Sequence, residues 1–385
     1  MTFGFNIPDP PIPPVAWNLR KSLGSQKTET ETDISLFRCC CYDSTNNALF
    51  AGTDPKGQIW KSTDGGDTWT MMQDLSLHGT HPNNEISALC FDSTSNVLIA
   101  GCGYTSWGTG GDTDIFRSTD GGTTWNWAQT IVNEFDVQTL IHDPFNDTIV
   151  AATSSDALVW VSANEGVTWT NELDLAGGEP YNSLGYDSSS RHRLIIASAG
   201  SWVTIYTSDD GGYNWTERQN FNSYGPGGFG TGSASTEPQY CHGIDYDVAN
   251  DVIIAVMGSS STGAQIWGSA DGGVTWVMKK QFDTVGNGDP QFGHAVCYNA
   301  DAGKIYVGLG DWFGGQDNNE IWVSADGGDT WTLDMDLDDN EIGWTYDMVY
   351  DSANNKQIMV GGFDQWTPSG VYGPGTIWNR DNGTY

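Results

Sequence analysis

An eight-residue motif that recurs along the chain constrains its fold more than any other feature. It reads Ser-Thr-Asp-Gly-Gly-Asp-Thr-Trp from Ser62 to Trp69. In such a motif the Asp side chain accepts backbone N–H groups of its own turn, and Gly adopts a conformation that other residues avoid. An aromatic residue precedes each of the six well-formed copies by two positions, so the motif is predicted to join two strands of a hairpin. The position that Asp64 holds in the first copy is held in the others by Asp120, Asn164, Asp210, Asp271, Asp326 and, in a degraded seventh copy from Asn379 to Tyr385, by Asp381.

A second pattern lies upstream of each motif. An aromatic residue and an Asp open a polar turn, and an apolar strand follows. The pairs are Tyr42-Asp43, Phe91-Asp92, Tyr186-Asp187, Tyr246-Asp247 and Tyr350-Asp351, with His142-Asp143 and Tyr298-Asn299 as variants. Each unit therefore contains four strands. The seven units predict an all-β fold, a single seven-bladed β-propeller of four-stranded antiparallel blades.

The eight-residue motif resembles the Asp-box, or BNR repeat, of sialidases, xyloglucanases, sortilin-like receptors and photosystem II assembly factors. The resemblance covers nearly the whole chain and implies the propeller fold, but these families share no single function. A sialidase would need three arginines around the substrate carboxylate. The chain has seven arginines, of which only Arg38 is placed at the predicted channel mouth, and it lacks the Arg-Ile-Pro signature. Sialidase activity is therefore not expected.

The domain prediction is simple. Residues 1–14 form a Pro-rich N-terminal arm, and residues 15–385 form the propeller. Residues 15–19 resemble the strand that follows a box, so we expect them to complete the last blade and to close the ring. Closure removes an exposed sheet edge.

One position in each unit is predicted to line the mouth of a central channel. It lies five residues before the Asp of the aromatic-Asp pair, in the first strand of the unit. The position is polar in every unit, and its occupants are Arg38, Ser87, Gln138, Asn182, His242, His294 and Tyr346. These side chains either form a binding site or solvate the strand ends.

The long insertions all fall on one predicted face, opposite the boxes. Insertions on one face of a repeat fold usually mark its binding face. Aromatic residues in these segments, including Trp107, Tyr224, Trp312 and Trp366, suit the stacking of sugar rings or contact with a protein.

Catalysis would require a pair of carboxylates. Asp245 and Asp347 lie in first strands, and Asp311 and Asp364 lie in long loops next to or near tryptophans. They are the candidates for a glycosidase. His242 and His294 occupy equivalent positions in adjacent units, but without further ligands they predict no metal site.

Composition excludes several classes of partner. Fifteen Lys and Arg against 49 Asp and Glu give a net charge of −34, which disfavours nucleic acid and anionic lipid. Neither a signal peptide nor a membrane-spanning run is expected. Seven cysteines, three of them contiguous, do not form a disulfide framework, and no cofactor is expected.

These observations favour a non-catalytic recognition or structural propeller. The leading hypothesis is a virion protein, such as a bacteriophage tail, fibre or surface-decoration protein, that binds host-surface glycan or neighbouring virion subunits. Its partner would use the long-loop face, and the Pro-rich arm could contact other virion subunits. Such a protein would reach the exterior by lysis, and a cytoplasmic location is the alternative. The other functional hypotheses are a glycoside hydrolase that cleaves a polysaccharide through a carboxylate pair, and a protein assembly factor.

Overall fold

The structure, a computed structural model, contains strands and no helix among the residues that it describes. The described residues are 17–23, 36–76, 85–103, 111–154, 157–174, 179–199, 202–221, 238–259, 262–282, 292–310, 319–337, 344–362 and 375–381. Nothing in these ranges is a helix that could cross a membrane.

Five sheets have four antiparallel strands each, in chain order. Their strands are β6 Glu85–Asp92, β7 Val97–Gly103, β8 Thr113–Ser118 and β9 Asn126–Ile131; β10 Val137–Asp143, β11 Thr148–Thr153, β12 Leu158–Ser162 and β13 Thr170–Asp174; β14 Glu179–Asp187, β15 Arg193–Ala199, β16 Thr204–Ser208 and β17 Thr216–Asn220; β18 Tyr240–Asp247, β19 Val252–Ser259, β20 Gly263–Ser269 and β21 Val277–Gln281; and β22 Phe292–Asn299, β23 Lys304–Gly310, β24 Glu320–Ser324 and β25 Thr332–Asp336.

The sixth sheet has eight strands. They are β1 Asn18–Leu23, β2 Leu36–Asp43, β3 Ala48–Asp54, β4 Gln58–Ser62, β5 Thr70–Asp74, β26 Trp344–Asp351, β27 Lys356–Gly362 and β28 Gly375–Asp381. One part contains β2 to β5, and the other contains β26, β27, β28 and β1. The two parts are joined between β2 and β27 by the single pair Leu36 and Gly362.

The first strand of each group contacts the first strand of the next group. Contacts run from β2 through β6, β10, β14, β18 and β22 to β26, and β26 in turn contacts β2. The contacts between first strands thus lead from each group to the next and back to β2, and second and third strands contribute to the apolar layers between neighbouring sheets. The strands β3, β7 and β11 are buried along their whole length, whereas β5, β9 and β13 are half exposed.

Each well-formed Asp-box is held by hydrogen bonds within its own turn. In the first copy, Asp64 Oδ1 accepts the backbone N–H of Thr68 at 2.9 Å and Asp64 Oδ2 accepts its hydroxyl at 2.6 Å. Ser62 Oγ donates to Asp64 and accepts the N–H of Gly66. The same backbone bond at the fourth following residue is accepted by Asp120, Asn164, Asp210, Asp271 and Asp326. The box is therefore a local fold element, and Asp381, at the end of β28, precedes residues outside the described ranges.

The second Gly of the box also joins neighbouring sheets. Gly122 has φ +75°, and a Cβ placed on it would lie 2.1 Å from Cε1 of Phe50 in the preceding group. A Cβ placed on the equivalent glycines would likewise come too close to a side chain of the preceding group. For Gly66, Gly166 and Gly212 that side chain belongs to Ile358, Ile99 and Val150, respectively. The motif therefore fixes packing between sheets as well as the turn.

The aromatic-Asp turns are equally regular. Asp43 Oδ1 accepts the N–H groups of Thr45 and Asn46 at 3.0 and 2.8 Å, and the side chain is fully buried. A Cβ on Gly121, the first Gly of a box, would lie 3.6 Å from Asn46 of the preceding turn. The boxes and the aromatic-Asp turns therefore share one edge of the sheets, which we call the turn face.

The N-terminal strand pairs with β28, but its bounds differ from the predicted 15–19. β1 begins at Asn18, opposite Asn379, and ends at Leu23, opposite Gly375. Trp17 precedes the strand, is 6% exposed and donates from Nε1 to Asp334 at 2.9 Å. In a box, too, the Trp comes just before its strand, so the strand starts after Trp17. Residues 1–16, including the Pro-rich arm, lie outside the described ranges.

All seven cysteines are buried and free. Burial raises the pKa of each thiol, to about 12 for Cys90 and Cys241. They behave as small apolar side chains.

Candidate functional site

A β-bulge lies at the same place in six of the seven first strands and determines where the predicted polar residues stand. In β2, Phe37 pairs with Thr53 and Cys39 pairs with Gly52, so Arg38 is skipped. The same skip falls on Ser87, Gln138, His242, His294 and Tyr346. A bulge inserts one unpaired residue and re-aims its side chain. The alternation of side chains between the two faces of a strand is therefore interrupted at this position.

The bulges lie near the ends of the first strands that are remote from the turn face, an edge that we call the mouth. Arg38 gathers three carboxylates there. Its Nη1 lies 3.0 Å from Glu85 Oε2 and 3.6 Å from Asp54 Oδ2, and its Nη2 lies 3.7 Å from Asp136 Oδ2. Glu85, Asp54 and Asp136 are 4%, 7% and 8% exposed. These four residues, which we call the mouth cluster, come from three consecutive groups of strands.

The mouth cluster shifts the pKa of its members. Burial and the nearby Glu85 raise the pKa of Asp136 to about 7, although Arg38 opposes the shift. Burial would lower the pKa of Arg38, but Glu85, Asp136 and Asp54 raise it well above its usual value. Gln138 donates to Asp136 Oδ2 at 2.7 Å. At neutral pH the cluster therefore contains a charged guanidinium and a carboxyl group that is partly protonated.

A group of aromatic and imidazole side chains lies in β18, β22 and β26. The rings of His242 and His294 are 5.3 Å apart, and those of His294 and Tyr346 are 6.4 Å apart, measured between centroids. Tyr240 and Phe292 pack beside the two imidazoles. Burial, with a smaller contribution from Arg38, lowers the pKa of His242 to about 4. Burial, with a smaller contribution from His242, lowers the pKa of His294 well below its usual value. Both imidazoles are therefore neutral at pH 7 and can both donate and accept hydrogen bonds.

Asp245 and Asp347 tie neighbouring first strands together. Asp245 Oδ2 accepts the N–H of Tyr298 in β22 at 2.7 Å, and Asp347 Oδ2 accepts the N–H of Cys40 in β2 at 2.8 Å. The Oδ1 atom of each accepts the N–H of the following residue. Burial raises the pKa of both carboxyl groups to about 6. All four oxygens thus accept backbone hydrogen bonds between or within strands.

The other predicted site residues contribute less to the described site. Ser87 Oγ donates to the carbonyl of Val137 at 2.9 Å, which is a structural contact. The side chain of Asn182 lies outside the described part of the structure. The same is true of the whole residues Trp107, Tyr224, Trp312, Trp366, Asp311 and Asp364.

Sequence reasoning missed the carboxylates of the mouth cluster. Glu85 and Asp136 each precede a predicted polar residue, Ser87 and Gln138, by two positions, a spacing that would have singled them out. Asp54 ends a second strand, and its approach to Arg38 depends on the pairing of Leu36 with Asp54. That pairing is fixed by the sheet and not by any local pattern.

Comparison with known proteins agrees with this architecture. The model of the family "Sortilin, neurotensin receptor 3" matches residues 113–242. The GH74 xyloglucanase from Xanthomonas campestris superimposes with a TM-score of 0.65 at 16% identity, over 96% of this chain and 54% of that chain. A structure of YCF48 bound to D1 peptide superimposes with a TM-score of 0.59 at 13% identity, over 98% of both chains. The fold is a β-propeller.

A curated relative bears on function. A xyloglucanase from Paenibacillus sp is 25% identical over 206 residues, which are 46% of this chain and 20% of the relative. The chain therefore corresponds to only part of the relatives it matches. The hypothesis of a non-catalytic virion protein is wrong, because the similarity to xyloglucanases points to a glycoside hydrolase, the alternative that the sequence left open.

Proposed function

We propose that this chain is a propeller of a glycoside hydrolase that acts on a polysaccharide. The similarity to xyloglucanases carries the proposal. We further propose that the eight-stranded sheet comprises two blades, which makes the propeller seven-bladed, and that β1 closes its ring. The order of contacts between first strands supports that count.

Glycoside hydrolysis needs one carboxyl group that is protonated at the working pH and a second that is ionised. In the mouth cluster, Asp136, with a pKa of about 7, is the candidate acid. Glu85 accepts a charge-assisted hydrogen bond from Arg38 at 3.0 Å and is the candidate base or nucleophile. Asp245 and Asp347 are weaker candidates because backbone N–H groups already occupy their oxygens.

Release of reducing ends from xyloglucan and other neutral β-glucans tests the proposal. We expect Asp136→Asn and Glu85→Gln to lower kcat/KM by about 10²- to 10⁴-fold, as the loss of a general acid or base does. The wild-type rate should fall above pH 7 because Asp136 then loses its proton, and the residual rate of Asp136→Asn should lack this decline.

Asp326→Asn on the turn face is the matched control and should keep full activity. If Asp245→Asn or Asp347→Asn abolishes release while the mouth-cluster variants do not, catalysis belongs to the first-strand pair. No release from any polysaccharide between pH 4 and pH 9 would contradict the proposed activity.

A further inference from the structure

Three potential metal ligands meet on the turn face, far along the strands from the mouth cluster. They are Asp92, at the end of β6, His142, in β10, and Asp147, in the turn after β10. One ligand atom from each lies within 4.8 Å of the other two. His142 Nε2 is 3.1 Å from Asp92 Oδ1, and both side chains are less than a tenth exposed. The three residues belong to two neighbouring sheets.

The turn that follows β10 differs from the other aromatic-Asp turns in its aromatic residue. In three of the four turns where a Tyr precedes the turn Asp, its hydroxyl donates to the Asn or Asp at the fourth residue after that Asp. Tyr42 donates to Asn47 at 3.0 Å, and Tyr246 donates to Asp251 at 2.8 Å. The Tyr42 hydroxyl also accepts the N–H of Ala353 in the preceding turn, at 3.3 Å. The phenol oxygen thus occupies a fixed place between two turns.

His142 stands where these units have Tyr, and Asp147 stands where they have Asn47 or Asp251. The imidazole reaches toward the preceding turn, with Nε2 3.4 Å from Thr94 Oγ1 as well as close to Asp92. Residue 142 therefore offers Asp147 no phenol hydroxyl. The place of the phenol oxygen is bordered instead by two carboxylates and an imidazole.

Asp92 also lacks a donor that most turn aspartates have. In four turns an Asn three residues after the Asp donates from Nδ2 to its second oxygen, as Asn46 does to Asp43 at 2.7 Å. In the β6–β7 turn that position is Ser95, whose backbone N–H bonds to Oδ1. The Asp92 carboxylate therefore lacks the side-chain amide donor that the Asp has in those four turns.

From this geometry we infer that Asp92, His142 and Asp147 bind a divalent transition-metal ion, with zinc as the representative. The ion links the two neighbouring sheets. One imidazole nitrogen and two carboxylate oxygens suit zinc, whereas calcium and magnesium prefer oxygen ligands alone. The ion takes the place of the missing phenol oxygen, and water completes its coordination. On binding, the contact between His142 and Asp92 is replaced by coordination of both to one ion.

The test is a zinc titration of the full chain. Metal is first removed from the protein with a chelator, and zinc is then added while a chromophoric chelator competes with the protein for it. His142→Tyr restores the residue of the other turns, so it should fold and should bind one zinc equivalent fewer than the wild type. Asp147→Asn, which places at this position the Asn of three other turns, should weaken the site at least about tenfold. Zinc should raise the Tm of the wild type and leave that of His142→Tyr unchanged.

His192→Tyr is the matched control. His192 lies in another turn, stacked on Phe145 with ring centroids 4.1 Å apart, and its replacement should leave the binding intact. A wild-type chain that binds no zinc would overturn the inference, as would equal stoichiometry and affinity in the wild type and His142→Tyr. If His142→Tyr does not fold, Asp147→Asn decides the question by the same comparison.

Discussion

At the scale of single residues, the two glycines of an Asp-box have different tasks. Gly121 and Gly122 both have positive φ, +66° and +75°. A Cβ on Gly121 would have no described neighbour nearer than 3.6 Å, whereas one on Gly122 would lie 2.1 Å from Phe50. The first glycine is required by the turn alone, and the second by the turn and by the neighbouring sheet.

Alanine substitutions at these two positions separate the free-energy cost of the left-handed turn from the cost of overpacking against the neighbouring sheet. Gly121→Ala should lower the free energy of unfolding by about 1 kcal/mol, the cost of a left-handed backbone with a Cβ. Gly122→Ala should lose a further 1–3 kcal/mol, roughly, because the methyl group overpacks against Phe50. Urea unfolding of both variants measures the difference. Equal losses would show that the contact with Phe50 relaxes at no cost.

At the scale of elements, β1 covers the edge of β28 and anchors it with side chains. Arg20 Nε donates to Asn379 Oδ1 at 2.8 Å, and Arg20 Nη2 lies 3.3 Å from Asp67 Oδ1. Trp17 packs in a cluster with Tyr306 and Trp378. The strand therefore links residues that are more than 300 positions apart in the chain.

Removing residues 1–23 should lower Tm by at least about 5 °C, because the burial of Trp17 and the strand pairing are lost together. Removing residues 1–16 leaves Trp17 and β1 in place and should change Tm much less. Differential scanning calorimetry of the two truncated chains makes the comparison. A similar Tm for the wild type and both truncated chains would rule out β1 as a stabilising element.

The sequence predicted elements that repeat and missed features that depend on neighbours. Boxes and aromatic-Asp turns were recognisable because each turn satisfies its own hydrogen bonds, as Asp64 and Asp43 do. The bulge at Arg38 was not recognisable, because a skipped residue shows only in the register between two strands. The grouping of Arg38 with Glu85 and Asp136 was missed for the same reason, since three different sheets contribute to it.

At the scale of the whole molecule, the buried carboxyl groups of Asp245 and Asp347 make stability depend on pH. The ordinary pKa of an Asp is 3.8, and burial raises those of Asp245 and Asp347 to about 6. Between these values the folded chain keeps protons that the unfolded chain has released. Their contribution to stability is therefore fully present below pH 4 and is lost as the pH rises through 6.

The double variant Asp245→Asn with Asp347→Asn should remove this dependence. From pH 4 to pH 8 the wild type should lose stability relative to the variant, by at most about 3 kcal/mol for each carboxyl group. Asp326→Asn is the control: hydrogen bonds from Thr330 lower the pKa of Asp326 to about 2, so its replacement should shift the stability curve without changing its slope. Urea unfolding at several pH values gives the curves, and parallel curves for the wild type and the double variant would contradict the assignment.

The repeated bulge has a consequence for how such a molecule can change. Because the skipped residue pairs with no partner strand, its identity is uncoupled from the alternation that keeps the core apolar. Arginine, serine, glutamine, histidine and tyrosine all occupy this skipped place in the register. The first strands thus offer a repeated position at which the side chain can change one substitution at a time while the pairing of the strands stays the same.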